Sequence, residues 1–133
     1  NMKKLEKSMK NRFLKDSFKC AGQGIKEAFI SERNFKIHCF ATLLVVVFGI
    51  FFELPLQKWI SLCFAIGFVL VCELINTAGE TLVDMITKEY SVEAKKVKDL
   101  LAGAVLISAA TAFVTGILVF IDPVIELIAS FFN

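Results

Sequence analysis

The chain alternates long apolar runs with short polar breaks. Apolar residues dominate Ile37–Phe52, Trp59–Val71 and Leu100–Ile121. Only the third exceeds, unaided, the roughly 18 residues that mark a membrane-crossing helix. The first reaches that length by extending into its polar flanks, the second by including the polar stretch that follows it. The pattern predicts three transmembrane helices, at about 34–52, 56–87 and 95–121. Ahead of them Leu14, Phe18, Ala21, Ile25 and Phe29 recur at helical spacing, with Lys15, Lys19, Lys26 and Glu27 elsewhere on the wheel. Such a period predicts an amphipathic helix over 13–30 lying on the membrane surface; a cytoplasmic helix packed on a partner would share it. The lysine-rich residues 1–12 are expected to be disordered at the start. Asp122-Pro123 is expected to end the last membrane helix and leave 123–133 as an apolar, interfacial tail. The fold class expected is an all-α membrane protein, one domain of a surface helix plus three membrane helices.

Composition agrees: 56% of residues are hydrophobic and 14 are Phe, which argues against a soluble fold. Residues 1–36 are mostly polar, so none of the runs is expected to be a cleavable signal peptide. Ten of the fifteen Lys/Arg lie in residues 1–36, and Lys88, Lys95, Lys96 and Lys98 lie between the second and third runs. By the positive-inside rule the N-terminus and that loop are cytoplasmic, and the turn at Glu53-Leu54-Pro55 and the C-terminus are outside. The basic excess therefore reads as orientation, and no nucleic-acid partner is expected. Cys20, Cys39, Cys63 and Cys72 have no CxxC spacing and read as reduced thiols. The one histidine, His38, reads as interfacial. No GxxxxGK[ST] occurs, which excludes a Walker-type nucleotide site.

The chemistry concentrates in Cys72–Asp84. On a helix, Glu73, Asn76, Thr77, Glu80 and Asp84 fall within about 60° of one direction. Glu73 lies roughly 21 Å along the axis from Trp59, near the inner edge of a core about 30 Å thick. Asn76, Glu80 and Asp84 then emerge at the cytoplasmic face, where Lys98 and Asp99 open the third membrane helix and Glu32 precedes the first. Carboxylates inside a membrane are costly and mark function; a solvated helix end is the plainer reading. Acids, an amide and a lysine at one interface fit phosphoryl transfer. Carboxylates hold Mg²⁺, a lysine offsets phosphate charge, and one carboxylate accepts an alcohol proton. A proton-coupled transporter built on Glu73, or a structural subunit whose stripe pairs helices, would use fewer of these groups. In the third run Ala104, Ser108, Ala112 and Gly116, each four apart, form a small-residue stripe suited to helix packing within or between subunits.

Three segments resemble the small bacterial integral-membrane lipid kinases, the diacylglycerol kinase/undecaprenol kinase family. They are Glu32-Arg33-Asn34-Phe35, Glu73-Leu74-Ile75-Asn76-Thr77-Ala78-x-Glu80-x-x-Val83-Asp84, and Ala94-x-x-x-Lys98-Asp99-x-x-x-Gly103-Ala104-Val105-Leu106. The resemblance spans about residues 13–121. It implies a homotrimer with shared active sites in the bacterial cytoplasmic membrane, transferring the ATP γ-phosphate to a lipid alcohol with Mg²⁺. By position it implies Glu73 as the catalytic carboxylate and Glu80 and Glu32 as the metal ligands, which also serve ATP. Asn76, Lys98 and Asp99 are implied at ATP, with Glu89, Tyr90 and Ser91 in the nearby loop and Arg12 and Ser17 on the surface helix. The lipid is expected against Leu14, Phe18, Ala21, Ile25, Phe29 and Glu73. Gly79 stands where the family usually has an apolar residue, and Ser91-Val92-Glu93 where it often has a His-Pro loop. The wording of Ser17-Phe18-Lys19 and of Glu32 to His38 resembles the Gram-positive branch, which implies undecaprenol as substrate, with diacylglycerol the alternative.

Overall fold

The computed structural model describes residues 2–132, with side chains from Phe13 onward. It is all-helical: α1 (Met2–Ser31), α2 (Arg33–Phe51), α3 (Leu56–Ile86) and α4 (Val92–Ser130). The last three are long and apolar enough to cross a membrane. α1 begins well before Phe13, so the start expected to be disordered is helical from Met2.

The three long helices pack through seven-residue seams, in which inward positions alternate three and four apart. On α2 the seam runs through Phe35, His38, Thr42, Val45, Gly49 and Phe52 at its cap; on α3 it runs through Leu62, Ile66, Val69, Glu73, Asn76, Glu80 and Val83, all buried or half-buried. α3 and α4 make the main packed pair, α2 lies on α3, and α1 touches α2 and α3. The pair is antiparallel, because it is pinned at both ends. Lys58 Nζ meets Asp122 Oδ2 at 3.3 Å at one end, and Lys98 Nζ meets Asp84 Oδ1 at 2.6 Å at the other. Near the first end Leu54, Leu62 and Val119 form a small core backed by Val45, Phe52, Trp59, Ile66 and Phe120.

The turn from α2 to α3 closes as a Schellman motif. Leu54 N–H donates to Gly49 O at 3.1 Å and Glu53 N–H to Ile50 O at 3.0 Å, with Glu53 at φ 49. That left-handed position usually holds glycine. Gly49 matters for a different reason. A Cβ there would sit 2.7 Å from the Trp59 ring, so its absence lets the indole lie against α2.

Asp122-Pro123 does not end the last helix, contrary to the sequence expectation; α4 runs on through Pro123 to Ser130. Proline has no N–H to offer the carbonyl four residues back. Here that carbonyl belongs to Val119, and Lys58 Nζ donates to it at 2.8 Å while also pairing with Asp122. A side chain from α3 thus supplies the bond that Pro123 omits. The small-residue stripe is not one contact within the chain. Ser108 is buried, Ala104 is exposed, and Ala112 and Gly116 line a cavity between α2, α3 and α4.

Candidate active site

The polar stripe of α3 is the continuation of its packing seam. Leu62, Ile66 and Val69 face inward, and the same face then presents Glu73, Asn76 and Glu80. Glu73 is therefore enclosed by the bundle itself, with 2% of its surface exposed. The α2 seam brings His38 to it: Nε2 lies 3.2 Å from Glu73 Oε1. The separation is that of an ion pair, but the alignment does not make a hydrogen bond, and Oε1 has no hydrogen-bond partner.

A second layer lies toward the α1–α2 break. Counting from the His38–Glu73 level, Glu32 is six residues back on α2 and Glu80 seven forward on α3. In antiparallel helices both steps run the same way, by roughly 9 and 10.5 Å. Asn76 Nδ2 donates to Glu80 Oε1 at 3.2 Å, while Asn76 Oδ1 is buried without a partner. Glu32 is the N-cap residue of α2, held extended at φ −96, ψ 120, and its Oε1 accepts from Ser31 Oγ at 3.2 Å. A third layer, further out, is the Asp84–Lys98 pair, with Lys95 paired to Asp99 on the neighbouring turn.

The remaining expected positions are more scattered. Glu89 and Tyr90 are exposed in the loop between α3 and α4. Ser91 caps α4: its Oγ accepts from Ala94 N–H at 3.2 Å and donates to Glu93 Oε2 at 2.8 Å. Glu93's own backbone N–H and then the Ser91 hydroxyl hold its carboxyl below the usual carboxylate range. Ser17 Oγ donates back to Phe13 O at 2.8 Å within α1. The side chain of Arg12 lies outside the described residues. Leu14, Phe18, Ala21, Ile25 and Phe29 are all exposed, Phe18 at 77%, while Ala28 is buried. Among the described side chains of α1, Ala28 is thus the one the chain's own helices bury.

Two residues were not apparent from the sequence. His38 read as interfacial, yet it occupies a seam position three residues after Phe35; the seven-residue spacing Phe35, His38, Thr42, Val45 was the available signal. Asp84 stood in the stripe without a role, and it is the partner of Lys98. Gly79, odd for a helix interior, meets the side chain of Leu101, which occupies the space a Cβ would take. Among the described residues no group of three His, Cys, Asp or Glu is gathered tightly enough to hold a metal by itself.

Residues 19–120 match the family model described as prokaryotic diacylglycerol kinase. The chain is 41% identical over 111 residues to an undecaprenol kinase of Bacillus subtilis, covering 84% of this chain and 89% of that one. It is 35% identical over 112 residues to a diacylglycerol kinase of Synechocystis, covering 84% of this chain and 64% of the relative. With a diacylglycerol kinase of Escherichia coli K12 it shares 32% identity over 93 residues, 70% of this chain and 76% of the other.

Proposed function

The chain belongs to the prokaryotic diacylglycerol kinase family, and from that premise we propose that it transfers the γ-phosphoryl group of ATP to the hydroxyl of a membrane lipid alcohol, undecaprenol in preference to diacylglycerol. The observation that carries this reading is the layered site: the buried carboxylate of Glu73 on the α3 seam, followed toward the α1–α2 break by the Asn76 amide and the Glu80 carboxylate.

Glu73 is the base. It takes the hydroxyl proton as the alcohol oxygen attacks the γ-phosphorus and the bond to the β-phosphate oxygen breaks, giving a lipid phosphate and ADP. Enclosure within the helix seam keeps water from competing for the phosphoryl group. Mg²⁺ is commonly held by one or two carboxylates together with substrate phosphates. Glu32 and Glu80 suit that arrangement, and the partnerless Asn76 Oδ1 adds a hard oxygen beside them. Bound there, the cation would offset phosphate charge. Asn76 orients Glu80 through its amide hydrogen bond. Lys98 and Asp99 serve ATP from the outer layer, with Glu89, Tyr90 and Ser91 from the loop and Arg12 and Ser17 from α1.

The protein is proposed to sit in the bacterial cytoplasmic membrane with its N-terminus in the cytosol, following the distribution of Lys and Arg. α1 is read as a surface helix whose exposed apolar face meets lipid. A homotrimer would cover the apolar sides of the bundle and let one chain's α1 complete a neighbour's site. The preference for undecaprenol rests on that α1 face together with Phe40 and Leu44 on α2, all exposed and apolar. Such a groove offers no donors to the two ester carbonyls of diacylglycerol, and each unpaired carbonyl costs about 1–3 kcal/mol. The test is kcat/KM for both lipids in the same micelles with Mg-ATP. Undecaprenol is expected to be favoured, and a tenfold preference for diacylglycerol would reverse the assignment.

A further inference from the structure

His38 is the one polar side chain of the α2 seam that reaches the depth of Glu73. Its Nε2 is 3.2 Å from Glu73 Oε1, an oxygen that is buried and otherwise lacks a partner. Phe35, buried one turn earlier on the same face, anchors α2 against the bundle at this level. On its other side the imidazole lines a cavity of about 480 Å³ walled by Ala41, Val45, Leu62, Val69 and Phe113. The Thr42 hydroxyl, one turn on, donates to the His38 carbonyl at 2.8 Å, so it has no proton left to offer the ring. Among the described residues, Glu73 is the charged group that the ring meets at ion-pair distance. Either a neutral ring protonated at Nε2 or an imidazolium can donate there.

We propose that His38 is a positioning residue for Glu73: its Nε2–H fixes the orientation of the carboxylate, leaving the other oxygen free to take the proton of the lipid hydroxyl. The contact is slightly misaligned in the resting chain, and such bonds commonly tighten only when substrate is bound. The proposal rests on the reading of Glu73 as the base. It assigns His38 no direct contact with either substrate, so its loss should act on kcat rather than on the KM for Mg-ATP.

The experiment compares the full chain with His38→Ala, His38→Phe and His38→Gln in lipid–detergent micelles, measuring kcat and both KM values with undecaprenol and Mg-ATP. Gln carries an amide N–H near the place of Nε2, whereas Phe fills the volume without a donor. Misplacing a reacting group by about 1 Å costs up to about 10²-fold. His38→Ala and His38→Phe are therefore expected to lose about 10- to 100-fold in kcat with an unchanged KM for Mg-ATP, and His38→Gln to recover most of it. In a Glu73→Asp background, whose shorter side chain already withdraws the carboxylate from the ring, His38→Ala should cost less than about threefold, because coupled residues are not additive. Full activity in His38→Phe, or losses that multiply in the double variant, would overturn the proposal. Near-normal turnover in Glu73→Gln would instead remove the base assignment, so the two failures are told apart.

Discussion

Among single residues, the polar groups of α3 are informative because they occupy positions that a packing seam reserves for apolar side chains. A helix that puts Glu73, Asn76 and Glu80 on its inward face gives up part of its own packing, and leaves Glu73 Oε1 and Asn76 Oδ1 buried without a hydrogen-bond partner. Unmet polar groups of this kind cost about 1–3 kcal/mol each, and a site that later meets substrate and cation explains why they persist. If Glu32 and Glu80 hold the cation, Glu80→Gln and Glu32→Gln should each raise the Mg²⁺ concentration needed for half-maximal turnover and weaken Mg-ATP binding together. Unchanged Mg²⁺ titrations in both variants would remove that role. The positions of Glu73 and Glu80 were legible in the sequence because helical geometry alone aligns them. The histidine that faces Glu73 was not, since a lone histidine carries no periodic mark of its own and the α2 seam runs through Thr42 and Gly49, neither an obvious core residue.

For whole helices, local bonds decide where each one begins and ends. Ser91 caps α4, and Ser91→Ala should cost about 0.5–2 kcal/mol, whereas Ser91→Thr should retain most of the cap. Hydrogen exchange at the Ala94 amide reads this directly: faster exchange is expected in Ser91→Ala, with Mg-ATP affinity separating a structural role from a nucleotide contact. Glu93 adds a pH dependence. Its carboxyl lies below the unfolded value, so the support it lends the first turn is complete above that value and is lost as the pH falls through the lower, folded one. Protection of the Ala94 amide should therefore fall on acidification, and fall less in Glu93→Gln. At the far end, Lys58→Met should destabilise the α3–α4 pair by about 1–3 kcal/mol, by orphaning the Val119 carbonyl. In a Pro123→Ala background a backbone N–H returns to that carbonyl, and the same change should cost much less. Equal costs in both backgrounds, measured by thermal unfolding in detergent, would show that the Lys58 bond does not replace the missing one. The continuation of α4 was illegible for this reason. Proline is a stop signal only while its orphaned carbonyl goes unserved, and the group that serves it lies 61 residues away in sequence.

At the scale of the molecule, the three apolar helices and their order followed from hydropathy and charge, while the way they engage one another did not. Hydrophobic period marks an inward face, but the depth at which two faces meet depends on contacts such as Gly49 with Trp59 and Gly79 with Leu101, which no single segment specifies. Trp59 against Gly49 seats α2 on α3, while the Gly79–Leu101 contact, with Lys58 at one end of the α3–α4 pair and Asp84–Lys98 at the other, ties α3 to α4 along its length. Axial sliding of one past the other by a turn would break both ends at once. Exchange of ADP and lipid must then be served by the less tightly packed α1–α2 pair, and the hinge available to it is the single non-helical residue between them, Glu32. The proposed metal ligand is thus also the joint. A cation drawn to Glu32 and Glu80 would tie that joint to α3, so nucleotide loading and closure become one event. Spin labels on exposed positions of α1 and α4 should report a narrower distance distribution with Mg²⁺ and a non-hydrolysable ATP analogue than with either alone, and in Glu32→Gln that narrowing should be lost.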